Sequence, residues 1–130
     1  MFVSFEGIEG CGKTTQVQRL ATFLSQRGIP HLVTREPGGS RLGKIIRKML
    51  LDPANSEMEP LTELFLYAAD RAQHIAQVIR PALEARQWLI CDRFADATTV
   101  YQGYGRDQDL NFIQQLNQWA TQGLWPHLSL

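Results

Sequence analysis

Apolar residues fall in short blocks along this chain, and their spacing changes from block to block. The run Met1-Phe2-Val3-Ser4-Phe5 has the look of a buried strand. Val17, Leu20, Ala21 and Leu24 then recur at i, i+3, i+4 and i+7. That period predicts a helix from about Lys13 to Arg27, with Gly28 suited to its C-terminal cap. Pro30 to Thr34 predicts a second short strand, and Arg35-Glu36-Pro37-Gly38-Gly39-Ser40 interrupts regular structure. Leu42, Ile45, Ile46, Met49 and Leu50 share one face of a second helix. Asp52 to Glu59 reads as a loop.

Pro60 suits the first position of a long helical stretch. Leu61, Leu64, Phe65, Ala68, Ala69, Ile75, Val78 and Ile79 mark it, and Pro81 should kink or split it. Trp88-Leu89-Ile90-Cys91 predicts a strand that ends at Asp92-Arg93. Thr98 to Gly105 fits either a helix start or a loop. Leu110, Ile113, Leu116 and Ala120 predict a further helix, stopped by Gly123 and Pro126, and His127 to Leu130 begins a strand.

Strands alternating with helices imply an α/β fold, a parallel sheet with right-handed crossovers and helices on its flanks. Sites in such sheets lie at the carboxyl ends of strands. Three places qualify: the loop after the first strand, Arg35-Glu36-Pro37 after the second, and Asp92-Arg93 after the third. All three carry charge where a protein built only for packing would place neutral turns.

A chain of 130 residues, 44% hydrophobic, suits a single domain with a real core. Its 13 basic and 13 acidic residues balance. That argues against a general nucleic-acid binder or a membrane-surface protein, and no apolar run reaches transmembrane length. Cys11 and Cys91 form neither a metal pattern nor a disulfide framework. A reduced, cytoplasmic setting is the simplest expectation.

The loop after the first strand carries the clearest chemistry. Gly7-Ile8-Glu9-Gly10-Cys11-Gly12-Lys13-Thr14 matches GxxxxGK[ST] in full, and Thr15 follows. Strand, glycine-rich loop and helix are the context this motif requires. Its glycines let backbone N–H groups turn inward around a polyphosphate, and the helix N-terminus adds partial positive charge. Lys13 can reach β- and γ-phosphate oxygens, and the Thr14 hydroxyl can ligate Mg2+.

The remaining charged positions each admit two readings. Asp92 ends an apolar strand, as a Mg2+-associated acid does in P-loop proteins, or serves as a turn residue or helix cap. Arg93 can form paired N–H bonds to a phosphate or an ion pair with a surface carboxylate. Arg35 and Arg47 can point into the cleft, although Arg47 lies off the main apolar face of its helix and could be solvated. Arg71 sits in a mostly apolar helix and needs a partner, either a structural acid such as Asp70 or a ligand. Tyr67, four residues earlier, shares its helical face. The pair fits a nucleobase pocket, and Tyr67 equally fits a packed core.

Taken together, five blocks resemble thymidylate kinase over nearly the whole chain. They are Phe5-Glu6-Gly7-Ile8-Glu9-Gly10-Cys11-Gly12-Lys13-Thr14-Thr15, Arg35-Glu36-Pro37-Gly38-Gly39, Tyr67-Ala68-Ala69-Asp70-Arg71-Ala72-Gln73-His74, Asp92-Arg93-Phe94 and Tyr101-Gln102-Gly103. The resemblance implies a P-loop nucleoside monophosphate kinase fold and transfer of the γ-phosphoryl of ATP to dTMP. It implies that residues Gly7 to Thr15 hold ATP, with Lys13 on its phosphates and Thr14 and Asp92 at Mg2+. Glu9 would lie near the deoxyribose. Arg93 and Arg47 would position the dTMP phosphate, beside Glu36 and Pro37, whose peptide bond is typically cis in the family. Tyr67 takes the place of the family's usual phenylalanine under thymine, so its hydroxyl must face outward or find a partner. Arg71, Thr98 and Gln102 match positions at the base edge, and Tyr101 would disfavour a ribose hydroxyl. A homodimer formed through helices is also implied.

Ile8, Glu9, Gly10 and Cys11 fill the variable part of the loop, with no basic residue among them. This resembles the bacterial arrangement, in which arginines come from a lid. Resembling enzymes continue past the strand begun at Leu128, so residues 1–130 are expected to be one domain, incomplete at its C-terminus. Loss of lid arginines would cost about 10³–10⁵ in rate, and little activity is expected of this length alone. Two other functions fit the same residues: a non-catalytic nucleotide-binding partner of a longer enzyme, and another P-loop nucleoside monophosphate kinase.

Overall fold

Among the described residues four strands form one sheet: β1 (Phe2–Phe5), β2 (His31–Arg35), β3 (Trp88–Asp92) and β4 (Leu128–Ser129). The structure is a computed structural model, and it describes residues 1–99, 103 and 109–130. All pairings are parallel, and the order across the sheet is β2-β3-β1-β4. Register places Phe5 opposite Asp92 and Asp92 opposite Arg35. Three strands therefore end level with one another, and the residues that follow them open on one edge.

Among the described residues six α-helices pack around the sheet: α1 (Lys13–Gln26), α2 (Arg41–Leu51), α3 (Pro60–His74), α4 (Arg80–Glu84), α5 (Ala95–Thr98) and α6 (Leu110–Thr121). Side chains alternate across the strands and build two cores. Val3, Phe5 and Ile90 meet Val17 and Leu24 of α1. On the other face Phe2, Leu89 and Cys91 pack with Ile75, Ile79, Ala82 and Phe94. Covered on both faces, β1 is buried at every position.

The expected α/β architecture is present, with boundaries shifted by a residue or so. The stretch read as a loop holds a 3-10 turn at Pro53–Asn55, α5 was not expected, and two further departures concern helix packing. The break expected at Pro81 lies upstream of it. Pro81 offers no N–H to the preceding turn, and Ile75–Ile79 widens into a π-helical turn. There the Arg80 N–H reaches back five residues to the Ile75 carbonyl. The second departure is the face on which α2 packs. Leu42, Ile45 and Met49 are exposed, while Gly43 and Ile46 are buried. A Cβ at Gly43 would overlap the Asp70 carboxylate, so the absent side chain lets α2 lean on α3. No helix among the described residues is long and apolar enough to cross a membrane.

Candidate active site

Between β1 and α1 the chain turns through glycines. Gly7, Gly10 and Gly12 take φ values of 130°, 76° and 89°, conformations in which an L side chain is strained. Gly12 is the cap of α1, so the helix's free N–H groups face the loop. The Lys13 ammonium donates to the carbonyls of Gly7 at 2.9 Å and Ile8 at 2.8 Å, and lies 3.8 Å from the Cys11 sulfur. Ile8, Glu9, Gly10, Cys11, Thr14 and Thr15 are exposed around it.

A cleft of about 290 Å³ opens beside this loop. Glu9, Gly10, Lys13 and Thr14 line one side; Arg35, Glu36, Arg47, Asp92 and Arg93 line the other. A second space of about 350 Å³ adjoins it, again bordered by Thr14, Arg35 and Asp92. The Thr14 hydroxyl and the Asp92 carboxylate are hard oxygen donors. Mg2+ is commonly held by such a small protein set together with substrate phosphates, so this pair fits the ion. Among the described residues no group of three or more His, Cys, Asp and Glu could hold a metal.

Positive charge gathers in the same cleft. Arg47 donates from Nη1 to the Pro37 carbonyl at 3.1 Å. Burial, then Arg35 and more weakly Arg93, push its guanidinium below the usual arginine range. Like charges so placed favour an anion between them. Arg93 has φ 68°, left-handed backbone that arginine seldom adopts. Its N–H is fixed by the Phe5 carbonyl at 2.9 Å, and the turn brings the residue to the cleft wall. Tyr67 is half-buried. Burial, then Glu63, raise its phenol, while Arg93 and Arg47 oppose the shift. Tyr67 therefore lies within electrostatic reach of both arginines.

Behind the cleft lies a buried polar network. The Glu36–Pro37 bond is cis, as the resemblance implied. The Glu36 carboxylate lines the cleft but turns inward: Arg71 Nε donates to it at 2.8 Å, and His74 Nδ1 lies 2.9 Å away. With its proton on Nδ1, His74 can accept from the Thr34 hydroxyl at Nε2, 2.7 Å away. Arg71 also donates to Asn117 at 2.7 Å, Thr98 at 2.9 Å and the Phe94 carbonyl at 3.3 Å. Its acidic partner is therefore Glu36, not the neighbouring Asp70 considered from sequence. Asp70 instead accepts the Gly38 N–H at 2.9 Å and stabilises the Pro-Gly-Gly turn.

The structure brings together Lys13, Thr14, Glu9, Asp92, Arg93, Arg47 and Glu36 at one cleft, and joins Arg71 to Thr98 behind it. Tyr101 and Gln102 lie outside the described residues. Sequence reasoning passed over Thr34, His74 and Asn117. It also assigned no role to Glu6, whose carboxylate oxygens are buried. Burial, then Asp96, push the Glu6 pKa from 4.5 to about 7. A glutamate placed one residue after an apolar strand was the available signal.

A parallel sheet whose first strand feeds a glycine-rich loop and a helix N-terminus, with arginines across from it, defines a P-loop phosphate-binding protein of the α/β class. Comparison with known proteins narrows the class. The family model for thymidylate kinase matches residues 5–130, and the chain belongs to that family. It is 58% identical to thymidylate kinase of Desulfosudis oleivorans over 130 residues, all of this chain and 61% of that protein. With thymidylate kinase of Nitratidesulfovibrio vulgaris it shares 56% identity, across all of this chain and 58% of the relative. The crystal structure of thymidylate kinase from Ehrlichia chaffeensis superposes with a TM-score of 0.90 at 39% identity, covering 99% of this chain and 73% of that one. The chain thus spans 58–61% of the length of these curated relatives.

Proposed function

We propose that this chain carries the nucleotide-binding machinery of a cytoplasmic dTMP kinase, which transfers the γ-phosphoryl of ATP to dTMP and yields ADP and dTDP. The observation that supports it most is the shared cleft, which Lys13 and Thr14 line together with Arg35, Arg47, Asp92 and Arg93. Donor and acceptor phosphates need such a place, where loop amides grip one and arginines the other.

In this reading residues Gly7 to Thr15 wrap the ATP phosphates. The Lys13 ammonium exchanges the Gly7 and Ile8 carbonyls for β- and γ-phosphate oxygens. Thr14 and Asp92 would hold Mg2+, which when bound neutralises phosphate charge. Arg47, steadied by the Pro37 carbonyl, and Arg93 orient the dTMP phosphate in line with the γ-phosphorus. Positioning and charge stabilisation supply most of the catalysis in such transfers. Tyr67 stacks on thymine, Arg71 and Thr98 read the base edge, and Tyr101 and Gln102 complete the sugar and base contacts. Glu9 borders the deoxyribose, and Glu36 keeps Arg71 in place.

The partner in this reading is a second copy of the chain. Leu42, Ile45 and Met49 of α2, Leu61 and Phe65 of α3 and Phe112 of α6 are exposed apolar residues on helices, with Phe65 and Phe112 in edge contact. Such a surface favours a helix-mediated homodimer.

The test is transfer of label from [γ-32P]ATP with Mg2+ to dTMP, with dUMP, CMP and AMP as competing acceptors. Labelled dTDP formed in preference to the other products supports the assignment. ATP binding without transfer to any acceptor points to a binding chain. Preference for another acceptor removes the roles given to Tyr67, Arg71 and Thr98.

A further inference from the structure

Asp70 of α3 is 1% exposed, and a hydrogen bond reaches only one of its oxygens. Oδ1 accepts the Gly38 N–H at 2.9 Å. Oδ2 is buried with no hydrogen-bond partner among the described residues. An acid enclosed on such terms is costly, and an apolar residue would serve packing alone at less cost. Burial raises its carboxyl above the usual range, and the Gly38 N–H is the foremost influence opposing that shift.

The Gly38 N–H belongs to the same peptide unit as the Pro37 carbonyl, which accepts from Arg47 Nη1 at 3.1 Å. Asp70, that peptide and Arg47 thus form one chain of hydrogen bonds from α3 to α2. A negative charge at the N–H end polarises the peptide and strengthens its carbonyl as an acceptor. Contact holds the arginine stem as well. Gly38 has φ 104°, and a Cβ there would stand 2.9 Å from Arg47 Cδ, so the stem lies against the bare glycine. Arg47 reaches the cleft that Lys13, Thr14, Asp92 and Arg93 also line. Arg35 and Arg93 repel its guanidinium there, and Asp70 is among the groups whose charge opposes them.

We propose that Asp70 is a positioning residue for Arg47, acting through the Pro37–Gly38 peptide to hold the guanidinium where it meets the phosphate of the acceptor nucleotide. The proposal rests on the reading above, in which Arg47 binds the dTMP phosphate. Asp70 itself lines neither of the two spaces beside the glycine-rich loop. A role exercised through Arg47 affects binding of the phosphate and leaves binding of the base alone.

The experiment compares Asp70→Ala, which removes the acceptor, with Asp70→Asn, which keeps one, and repeats Asp70→Ala in an Arg47→Ala background. Calorimetric titrations use dTMP and thymidine (which lacks the phosphate), after thermal melts establish folding. Asp70→Ala is expected to weaken dTMP about fivefold, as for loss of one hydrogen bond, and thymidine by less than about twofold. Asp70→Asn is expected to keep dTMP within about twofold of the wild type. Where Arg47 is already Ala, Asp70→Ala is expected to change dTMP affinity by less than about twofold, because the chain of bonds has lost its far end. Should Asp70→Ala fail to fold, Asp70→Ser, whose hydroxyl is one bond shorter, takes its place in the same titrations. Equal losses in both backgrounds, or equal losses for dTMP and thymidine, would make Asp70 merely structural. An Asn variant as impaired as the Ala variant would exclude the acceptor role. Undiminished dTMP binding by Asp70→Ala removes the proposal alone. Undiminished dTMP binding by Arg47→Ala, or a wild-type chain that takes up no dTMP, removes the underlying reading as well.

Discussion

Glu36 and Arg71 form an ion pair 2.8 Å long, with side-chain exposures of 4% and 2%. Thirty-five residues separate them in sequence. The pair joins the loop after β2 to α3, and the second Glu36 oxygen adds His74. Removing one member leaves a charge buried without compensation. Glu36→Ala is expected to lower stability by about 3–5 kcal/mol. Glu36→Gln keeps an acceptor for Arg71 and should lose less. Chemical denaturation of the two variants checks the ranking; equal stability of Glu36→Ala and wild type would remove the pair from the account.

Gly39 is fixed by its neighbours, not by its backbone angle. A Cβ there would overlap the His74 imidazole and stand 2.7 Å from the Arg35 carbonyl oxygen. Gly39→Ala is expected to destabilise the fold by about 1–3 kcal/mol through overpacking. It should also disturb the Thr34–His74 bond, which the His74 imidazole resonances would report.

Arg93 separates stability from function. Its φ of 68° is strained for arginine, at a cost of about 1–2 kcal/mol. Glycine relieves the strain but adds backbone entropy to the unfolded chain, a loss of about 0.5–1 kcal/mol. Arg93→Gly should therefore melt close to the wild type. It should weaken dTMP by at least about tenfold, through loss of a charge-assisted bond to phosphate. A large drop in melting temperature with unchanged dTMP binding would reverse the assignment.

Glu6 gives the fold a pH dependence. Burial, then Asp96, raise its pKa to about 7 in the folded chain, against 4.5 when exposed. The Phe94 N–H, the Ser4 hydroxyl and Arg71 oppose that shift. Between these values the folded chain holds a proton that the unfolded chain has released. Its contribution to stability therefore falls as pH rises from about 4.5 to about 7, then levels off. Glu6→Gln should flatten the decline. Melting temperatures across this range check it, and an identical slope in the variant would exclude Glu6 as the source.

Much of the fold was legible because local signals and tertiary packing agree. The spacing of Val17, Leu20, Ala21 and Leu24 found α1, and GxxxxGK[ST] placed the phosphate loop. Periodicity failed on α2, where Leu42, Ile45 and Met49 face outward. Apolar spacing identifies a stripe but not what covers it, and Gly43 decided the contact. The partners of Arg71 were hidden for another reason. Glu36, Thr98 and Asn117 lie 35, 27 and 46 residues from it, and only the crossovers bring them together. Glu6 escaped because the sequence places an acid beside the loop without revealing that its oxygens are enclosed.

Calorimetric titration of Mg·ATP into the folded chain tests the central claim, that the loop from Gly7 to Thr14 grips a triphosphate, most directly. The wild type is expected to bind one nucleotide per chain. Lys13→Ala, with an unchanged circular dichroism spectrum, is expected to bind at least about tenfold more weakly, since the ammonium makes charge-assisted bonds to phosphate. A wild type that takes up no Mg·ATP, or a Lys13→Ala variant with undiminished affinity, would contradict the account.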